Sequence, residues 1–517
     1  MTTKGLFKNT IIVGFITLIS RVSGLIRDFF IAKYLGAGKL SDCFLVAFKV
    51  PNLFRSIFAE GAFNSAFVPI FSGIMAEDPL KKAIQFCKNI FAILFYILLV
   101  FSLIAEIFMP FMIDIFAPGF SDSPEKYQLS ITLSRIAFPF LLSIALTSFF
   151  GSILNTIGHF EPYALTPIIL NTSIIISLIL FSQVFPTAAH AAAWGVCASG
   201  VIQLLFLWYI AKNYGFGVVS FKIGFTPEIR QFFRKIVPGI LGAGIYHLNV
   251  MIGSIFASDT NGAVSWIYYA DRLNQLPLGV IGVALATVLL PSLSKEVKKH
   301  NIRKTFLLFN QSIKFASLLI IPSSFALLAI SYPLIHIFFE RGAFTNTDTY
   351  ATSHILQILS LSLPALVYTK LFANVFYARN DTKTPMILAF ITMLFNVFFT
   401  FLFNRYYGYI GIVLSITITN WINTLLLYFI SYIYGYMRMY KRILVNTLKI
   451  IVISLFMAII IYFGVMGLHD DELNLYALWL NILGLLIIIF TGGLFYTVAI
   501  ILSGVTTVSE IKSILKK

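Results

Sequence analysis

The chain has 517 residues, 59% hydrophobic and only 11% charged, with a mean hydropathy of +0.90. That composition excludes an ordinary soluble domain and identifies an integral membrane protein. The net charge of +16 is spread over short loops, which argues against nucleic acid as a partner, and three cysteines far apart in apolar stretches (Cys43, Cys87, Cys197) give neither a disulfide framework nor a zinc site.

Lys4 and Lys8 precede an apolar run, Ile11 to Ile19, that superficially resembles a signal peptide. No small-x-small cleavage site follows and the apolar sequence continues, so the reading is an uncleaved first transmembrane helix. Hydropathy and loop punctuation predict an all-α protein of about fourteen spans, near 8–34, 41–74, 84–109, 127–156, 161–184, 189–211, 231–256, 263–293, 304–330, 350–377, 384–403, 409–436, 443–466 and 475–503. Pro51, Pro139, Pro277 and Pro364 fall mid-span, as in the broken helices with which transporters line a cavity.

If the spans alternate, the basic clusters Lys81/Lys82/Lys88, Lys212 to Lys235, Lys295 to Lys304, Arg379/Lys383 and Arg438 to Arg442 share one side, while Asp114, Asp122, Glu125 and the run Asp470 to Glu472 share the other. The positive-inside rule then places both termini in the cytoplasm.

An internal repeat accompanies this topology. Residues 47–72 lie over 269–294 at a shift of 222, matching Asn52 with Asn274, Ala62 with Ala284, Pro69 with Pro291 and Ser72 with Ser294. Six spans per half in parallel orientation predict two pseudo-symmetric lobes, 1–220 and 221–440, and leave 441–517 as an appended C-terminal helix pair.

The stretch Ser20 to Ser72 carries Arg21, Arg27, Asp28, Lys49, Arg55 and Glu60 inside membrane-competent sequence. Each such charge costs roughly 2.5–3.5 kcal/mol at mid-bilayer, so it normally faces a cavity or a partner. On an ideal helix Thr17, Ser20, Arg21, Gly24, Arg27 and Asp28 fall in one wedge about 120° wide, with Leu18, Val22, Leu25, Ile26, Phe29 and Phe30 elsewhere. In the next helix Lys49, Asn52, Ser56 and Glu60 cluster within about 80°, with Arg55 to one side. The bland alternative is an Arg21–Asp28 ion pair, with Arg27 and Arg55 snorkelling to an interface.

In the second half, SWIYYADRLNQLPLG from Ser265 to Gly279 offers Arg272 as a cavity residue and leaves Asp271 structural, because neighbours on a helix point about 100° apart. Lys370 and Arg135 are balanced between cavity and interface. Arg379, Asp381 and Lys383 read as a solvated loop with a turn at Thr384-Pro385. HExxH, GxxxxGK[ST], GxSxG and paired histidines are absent from the sequence, so no catalytic residue, metal site or cofactor is called for.

The blocks SRVSGLIRD, GAGKLSDCFLVAFKVPNLFRSIFAEGAFNSAFVPIFS, AVSWIYYADRLNQLPLGVIGVALATVLLPSLS and ARNDTKTP resemble the MurJ (MviN) lipid II flippases of bacteria, members of the MATE-like exporter superfamily, over essentially the whole chain. The resemblance implies two six-helix lobes in a V shape, a last helix pair grooved for the polyprenyl tail, residence in the bacterial cytoplasmic membrane, and lipid II and membrane lipids as partners. It places substrate-binding arginines on Arg21, Arg27, Arg55 and Arg272, with Ser20, Asp28, Asp42, Asn52 and Glu60 in the same motifs; Gly24 from the polar wedge and Lys370 from the second half join Gln275 as candidate cavity or gate residues. Gln275 stands where some members carry Glu. A cation site of some members uses an acid in the eleventh span, and Asn396 to Thr400 holds none here, so coupling to a monovalent cation or to the membrane potential is left open. The competing functions are a polysaccharide or multidrug exporter of similar fold and a membrane-embedded enzyme acting on polyprenyl phosphates. Cavity arginines favour an anionic substrate over the cations of a drug exporter, and an enzyme would need metal-binding acids beside them.

Overall fold

A computed structural model describes residues 3–55, 62–77, 80–466 and 475–507, with side chains left undescribed at 3–11, 62, 77, 237–250, 280, 283–284, 286–288 and 475–479. Among the described residues there is no strand, and ten helices are long and apolar enough to cross a membrane. Their outer faces carry side chains such as Phe401 (64% exposed) and Ile487 (64%), a surface suited to lipid and not to water.

The helices of the first half are α1 (Thr3–Leu35), α2 (Lys39–Arg55), α3 (Ala62–Glu77), α4 (Leu80–Ile107), the short α5 (Met109–Phe116), α6 (Pro124–Ala137), α7 (Phe140–Thr156), α8 (Glu161–Phe181) and α9 (Ala188–Asn213). The second half runs α10 (Pro227–Ala257), α11 (Ala263–Pro277), α12 (Val283–Lys298), α13 (Ile302–Phe339), α14 (Asn346–Ser360), α15 (Leu363–Tyr377), α16 (Lys383–Tyr407) and α17 (Tyr409–Ile433), followed by α18 (Lys441–Met466) and α19 (Leu475–Leu502). Shifted by 222, α1 would occupy 225–257, α2 261–277, α3 284–299, α6 346–359 and α7 362–378. Those ranges coincide within three residues with α10, α11, α12, α14 and α15, so the helical segments repeat where the sequence identities are few; the limits at Thr3, Arg55, Ala62 and Glu77 are those of the described residues.

Several expected spans are interrupted, and proline explains most of the breaks. Pro139 sits in the turn between α6 and α7, Pro277 ends α11 before a π-helical turn at Leu278–Gly282, and Pro364 opens α15. A proline removes one ladder hydrogen bond and disfavours helix in the residue before it, which makes it suit a first turn or a break. Pro51 is the exception and lies inside α2.

The chain divides into two compact units. The first comprises residues up to Ser265 together with Arg341–Phe344; the second comprises Trp266–Glu340 and Thr345 onward. In the first unit the core is aromatic: Phe63, Phe67 and Phe71 recur at i, i+4 along α3, stack at 5.1 and 5.2 Å, and receive Phe149 of α7 edge-on. Offset and T-shaped pairs of this kind add about 0.5–1.5 kcal/mol each beyond burial. The second unit packs Leu289, Leu293, Phe309, Ile313, Leu371 and Phe376 from α12, α13 and α15, and α18 lies along α13.

Gly36, in the left-handed region at φ +70°, ends α1. A side chain there would also collide with the Ala343 carbonyl 2.4 Å away. Arg341–Phe344 is strapped to that corner by the Ala343 amide, which donates to the Lys33 carbonyl at 2.9 Å.

Candidate functional site

The polar wedge of α1 is divided in two. Arg21 is exposed, whereas Arg27 and Asp28 are buried at 4% and 1% exposure. Arg27 donates from Nε (3.0 Å) and Nη2 (2.6 Å) to Oδ1 of Asp28 and from Nη1 to Oδ1 of Asn171 on α8 (3.0 Å), with its guanidinium 6.0 Å from the Phe48 ring. The expected alternative pair, Arg21–Asp28, is replaced by Arg27–Asp28. Adjacent residues leave the helix about 100° apart, but the arginine side chain is long enough to fold back onto its neighbour.

Asn171 was not foreseen. Its Nδ2 donates to Ser23 Oγ (2.8 Å) and the Ser20 carbonyl (3.3 Å), and a Cβ on Gly24 would lie 3.6 Å from it. One buried amide thus organises Ser20, Ser23, Gly24 and Arg27. Its signal in sequence was a single Asn in the apolar run TPIILNTSIII, 144 residues from Arg27, with no local spacing to link them.

On α2, Lys49 donates to Ser254 Oγ of α10, and Arg55, half-buried at the last described residue of the helix, donates from Nε to Asn52 Oδ1 at 2.6 Å. Glu60 lies outside the described residues.

Asp42 is fully buried and receives four donors: Lys126 Nζ (2.9 Å) and the Gly262 amide (2.8 Å) on Oδ2, and the Ser265 amide (3.0 Å) and hydroxyl (2.6 Å) on Oδ1. Lys126 also stands 4.2 Å over the Phe120 ring. The carboxylate ties α2 to α6 and to the start of α11 within the first unit. Shifted by 222, Lys126 falls on Asp348, which accepts from Trp266 Nε1 at 2.9 Å and closes a capping box with Thr345 at the start of α14. The same corner of each repeat is therefore pinned by different chemistry.

In the second unit Arg272 donates from Nη2 to Tyr268 Oη (3.1 Å) with its guanidinium 5.0 Å from that ring, and Gln275 donates to Asp271. Gln275 is exposed and Asn274 is buried. Lys370 is half-buried, its stem 3.9 Å from where a Cβ of Gly282 would stand, beside the π-helical turn.

The loop after α15 corrects its bland reading. Arg379 is not simply solvated: it donates to the Val375 carbonyl (2.8 Å) and the Tyr436 carbonyl (3.0 Å) and covers the Tyr436 ring at 4.4 Å, with burial holding its pKa below the usual arginine value. Asp381 accepts from the Thr384 amide at 3.0 Å, as a turn requires. Asn396 and Thr400 are buried and face each other, Thr400 Oγ1 donating to Asn396 Oδ1 at 3.3 Å. Among the described residues no three His, Cys, Asp or Glu side chains cluster as a metal site. In the loop before α11 burial, helped by Asp122, pushes the Asp259 carboxyl above its ordinary value.

A family model described as "Lipid II flippase MurJ" matches residues 31–475. A probable lipid II flippase MurJ from Rhizobium meliloti (strain 1021) is 38% identical over 428 residues, 82% of this chain and 80% of the relative. A counterpart from Rhizobium tropici is 35% identical over 97% of this chain and 95% of its own length. A solved structure of a lipid II flippase MurJ in an inward closed conformation aligns with a TM-score of 0.78 at 29% identity, over 95% of this chain and 98% of that one. An inward-facing multidrug resistance MATE transporter of the MOP superfamily aligns with a TM-score of 0.67 at 15% identity over 82% of this chain and 97% of its own, a likeness of fold.

Proposed function

We propose, on the premise that this chain belongs to the lipid II flippase MurJ family, that it moves undecaprenyl-diphosphate-linked peptidoglycan precursor from the cytoplasmic to the periplasmic leaflet by alternating access. It is a multi-pass membrane protein and a transporter, not an enzyme. The cytoplasmic membrane as its location, with both termini on the cytoplasmic side, rests on the segregation of basic loops. The alternation is proposed to involve the repeat units 1–220 and 221–440, with 441–517 serving the polyprenyl tail.

Arg21, Arg27 and Arg55 in one unit and Arg272 in the other are proposed to receive the diphosphate. The observation that supports this most directly is Arg21, an exposed guanidinium on an apolar helix; Arg27, buried further along the same helix, is already held by Asp28 and Asn171 and would have to exchange those partners for phosphate oxygens. Arginine presents a planar fork that matches phosphate oxygens, and a diphosphate brings the negative charge that several neighbouring cations require. A cavity for organic cations would call for carboxylates instead.

Asn396 and Thr400 supply an amide and a hydroxyl but no carboxylate, so a cation-coupled cycle would draw its ligands from elsewhere. Translocation of lipid II in cells depleted of their own flippase and complemented with this chain tests the function. Failure of the wild-type chain at normal membrane abundance overturns it, and collapsing the membrane potential in the same assay decides the coupling.

A further inference from the structure

Between α9 and α10 of the first unit, residues 216–226 are neither helix nor strand. Phe216 and Val218 are buried, Phe216 edge-on to Phe71 at 5.6 Å. Beyond them Val219, Phe221, Ile223 and Phe225 are exposed at 49, 54, 47 and 84%, and Lys222 among them is exposed as well, so the extended segment is mainly apolar on its outer surface and carries one cation. Phe221 nevertheless lies 5.1 Å from the Phe95 ring and 6.5 Å from Phe91 on α4, and a Cβ on Gly224 would stand 2.9 Å from the Asn89 amide. Those positions on α4 follow Lys88, which is exposed and opens onto an unbroken apolar run. The segment therefore runs at the boundary between headgroups and acyl chains, where aromatic and cationic side chains gather.

Beside it, Phe225, Thr226, Arg230, Gln231, Phe233 and Arg234 line an open groove of about 760 Å³. Arg230 and Arg234 are one turn apart and share a face; both are exposed, and the acid of that turn, Glu228, is engaged by Lys82 at 3.6 Å. The groove thus combines two guanidiniums with an outward aromatic at lipid depth.

We propose that this groove binds the headgroup of an anionic phospholipid, with Arg230 and Arg234 on its phosphate and Phe225 among its acyl chains. A zwitterionic lipid would bring its own cation against the two arginines, whereas an anionic one leaves the pair neutralised. The cytoplasmic leaflet as its source rests on the orientation proposed above, but the binding itself does not depend on transport.

The test uses the full-length protein in detergent, given equal amounts of phosphatidylglycerol and phosphatidylcholine with matched chains, and counts retained lipid by native mass spectrometry. The wild type should keep phosphatidylglycerol in preference. Arg230→Gln with Arg234→Gln should lower its retention by tenfold or more, taking about fivefold per cation, while the Arg→Lys pair keeps most of it. Phe225→Ser should weaken retention with the charge intact. Unchanged retention by the double Gln variant, equal retention of both lipids, displacement by inorganic phosphate alone, or preferential occupation by undecaprenyl diphosphate lost in that same variant would each overturn the assignment. An unstable Gln variant leaves the lipid preference, the phosphate competition and the Lys and Ser variants to decide.

Discussion

The Asn171 side chain accepts from Arg27 Nη1 at 3.0 Å and donates to Ser23 Oγ at 2.8 Å, so one amide on α8 holds successive turns of α1. Replacing it by Leu keeps the volume but leaves buried donors and acceptors unmatched, at a cost of about 1–3 kcal/mol. Asn171→Leu should lower the melting temperature and reduce lipid II translocation by about tenfold or more at matched abundance. Wild-type translocation by this variant would remove Asn171 from the site.

Arg21 and Arg27 should separate experimentally. Arg27→Ala strands Asp28 in a buried position, a loss of about 3–5 kcal/mol, and should depress both stability and transport. Arg27→Lys keeps the charge but cannot serve Asp28 and Asn171 together, so it should be nearly as impaired. Arg21→Ala, at an exposed position, should abolish or severely reduce transport while stability stays within about 0.5 kcal/mol. Equal destabilisation by Arg21→Ala and Arg27→Ala, read by thermal unfolding, contradicts this division.

Gly24 permits a graded test. A Cβ there meets Asn171 Nδ2 at 3.6 Å, an ordinary contact, so Gly24→Ala should flip lipid at close to the wild-type rate. Gly24→Leu must displace the amide or fill the polar face, and should block transport while the protein still inserts. Normal complementation by the Leu variant rules out a cavity role for this face.

Asp42 and Lys126 form an ion pair at 2.9 Å in which neither side chain is more than 7% exposed. Asp42→Asn keeps one acceptor oxygen, turns an amide NH2 towards two of the donors and leaves the lysine charge unneutralised, so it should cost about 3–5 kcal/mol. Lys126→Met in the same chain should recover part of that loss by removing the orphaned charge. Melting temperatures of the two single variants and the double variant check it: additive losses would show the pair is not coupled.

Topology is open to cysteine labelling in intact cells, in a background lacking Cys43, Cys87 and Cys197. A cysteine at Ser121 should react with an impermeant reagent and one at Lys299 should not. The reverse pattern inverts the orientation. The loop Asp470 to Glu472, expected on the Ser121 side, lies outside the described residues.

The helical repeat was legible in the sequence because a few residues of the two halves match at a single shift; Pro69 and Pro291 fall at matching places in α3 and α12. The cationic side chains were legible too, since an arginine in an apolar run is conspicuous. Their partners were not. Asn171, Lys126 and Ser265 meet α1 and α2 from 84 to 223 residues away, and helical periodicity carries no information across such distances. The burial of Arg27 beside the exposure of Arg21 likewise depends on which helix packs against which turn, whereas the wedge treated both as one face.

The strap of Arg341–Phe344 against Lys33 and Gly36 has a consequence for how the chain is made. Its four residues belong to the first compact unit, yet they follow Ser265 by more than seventy positions of sequence assigned to the second. At about 5–20 residues per second, a ribosome takes roughly 4–16 s to synthesise that interval. During that time the C-terminal corner of α1 waits with the Lys33 carbonyl uncovered, so the first unit completes its assembly only after the opening segment of the second, Trp266–Glu340, has been synthesised. A truncated product ending near Ser265 would lack the four residues that close this corner.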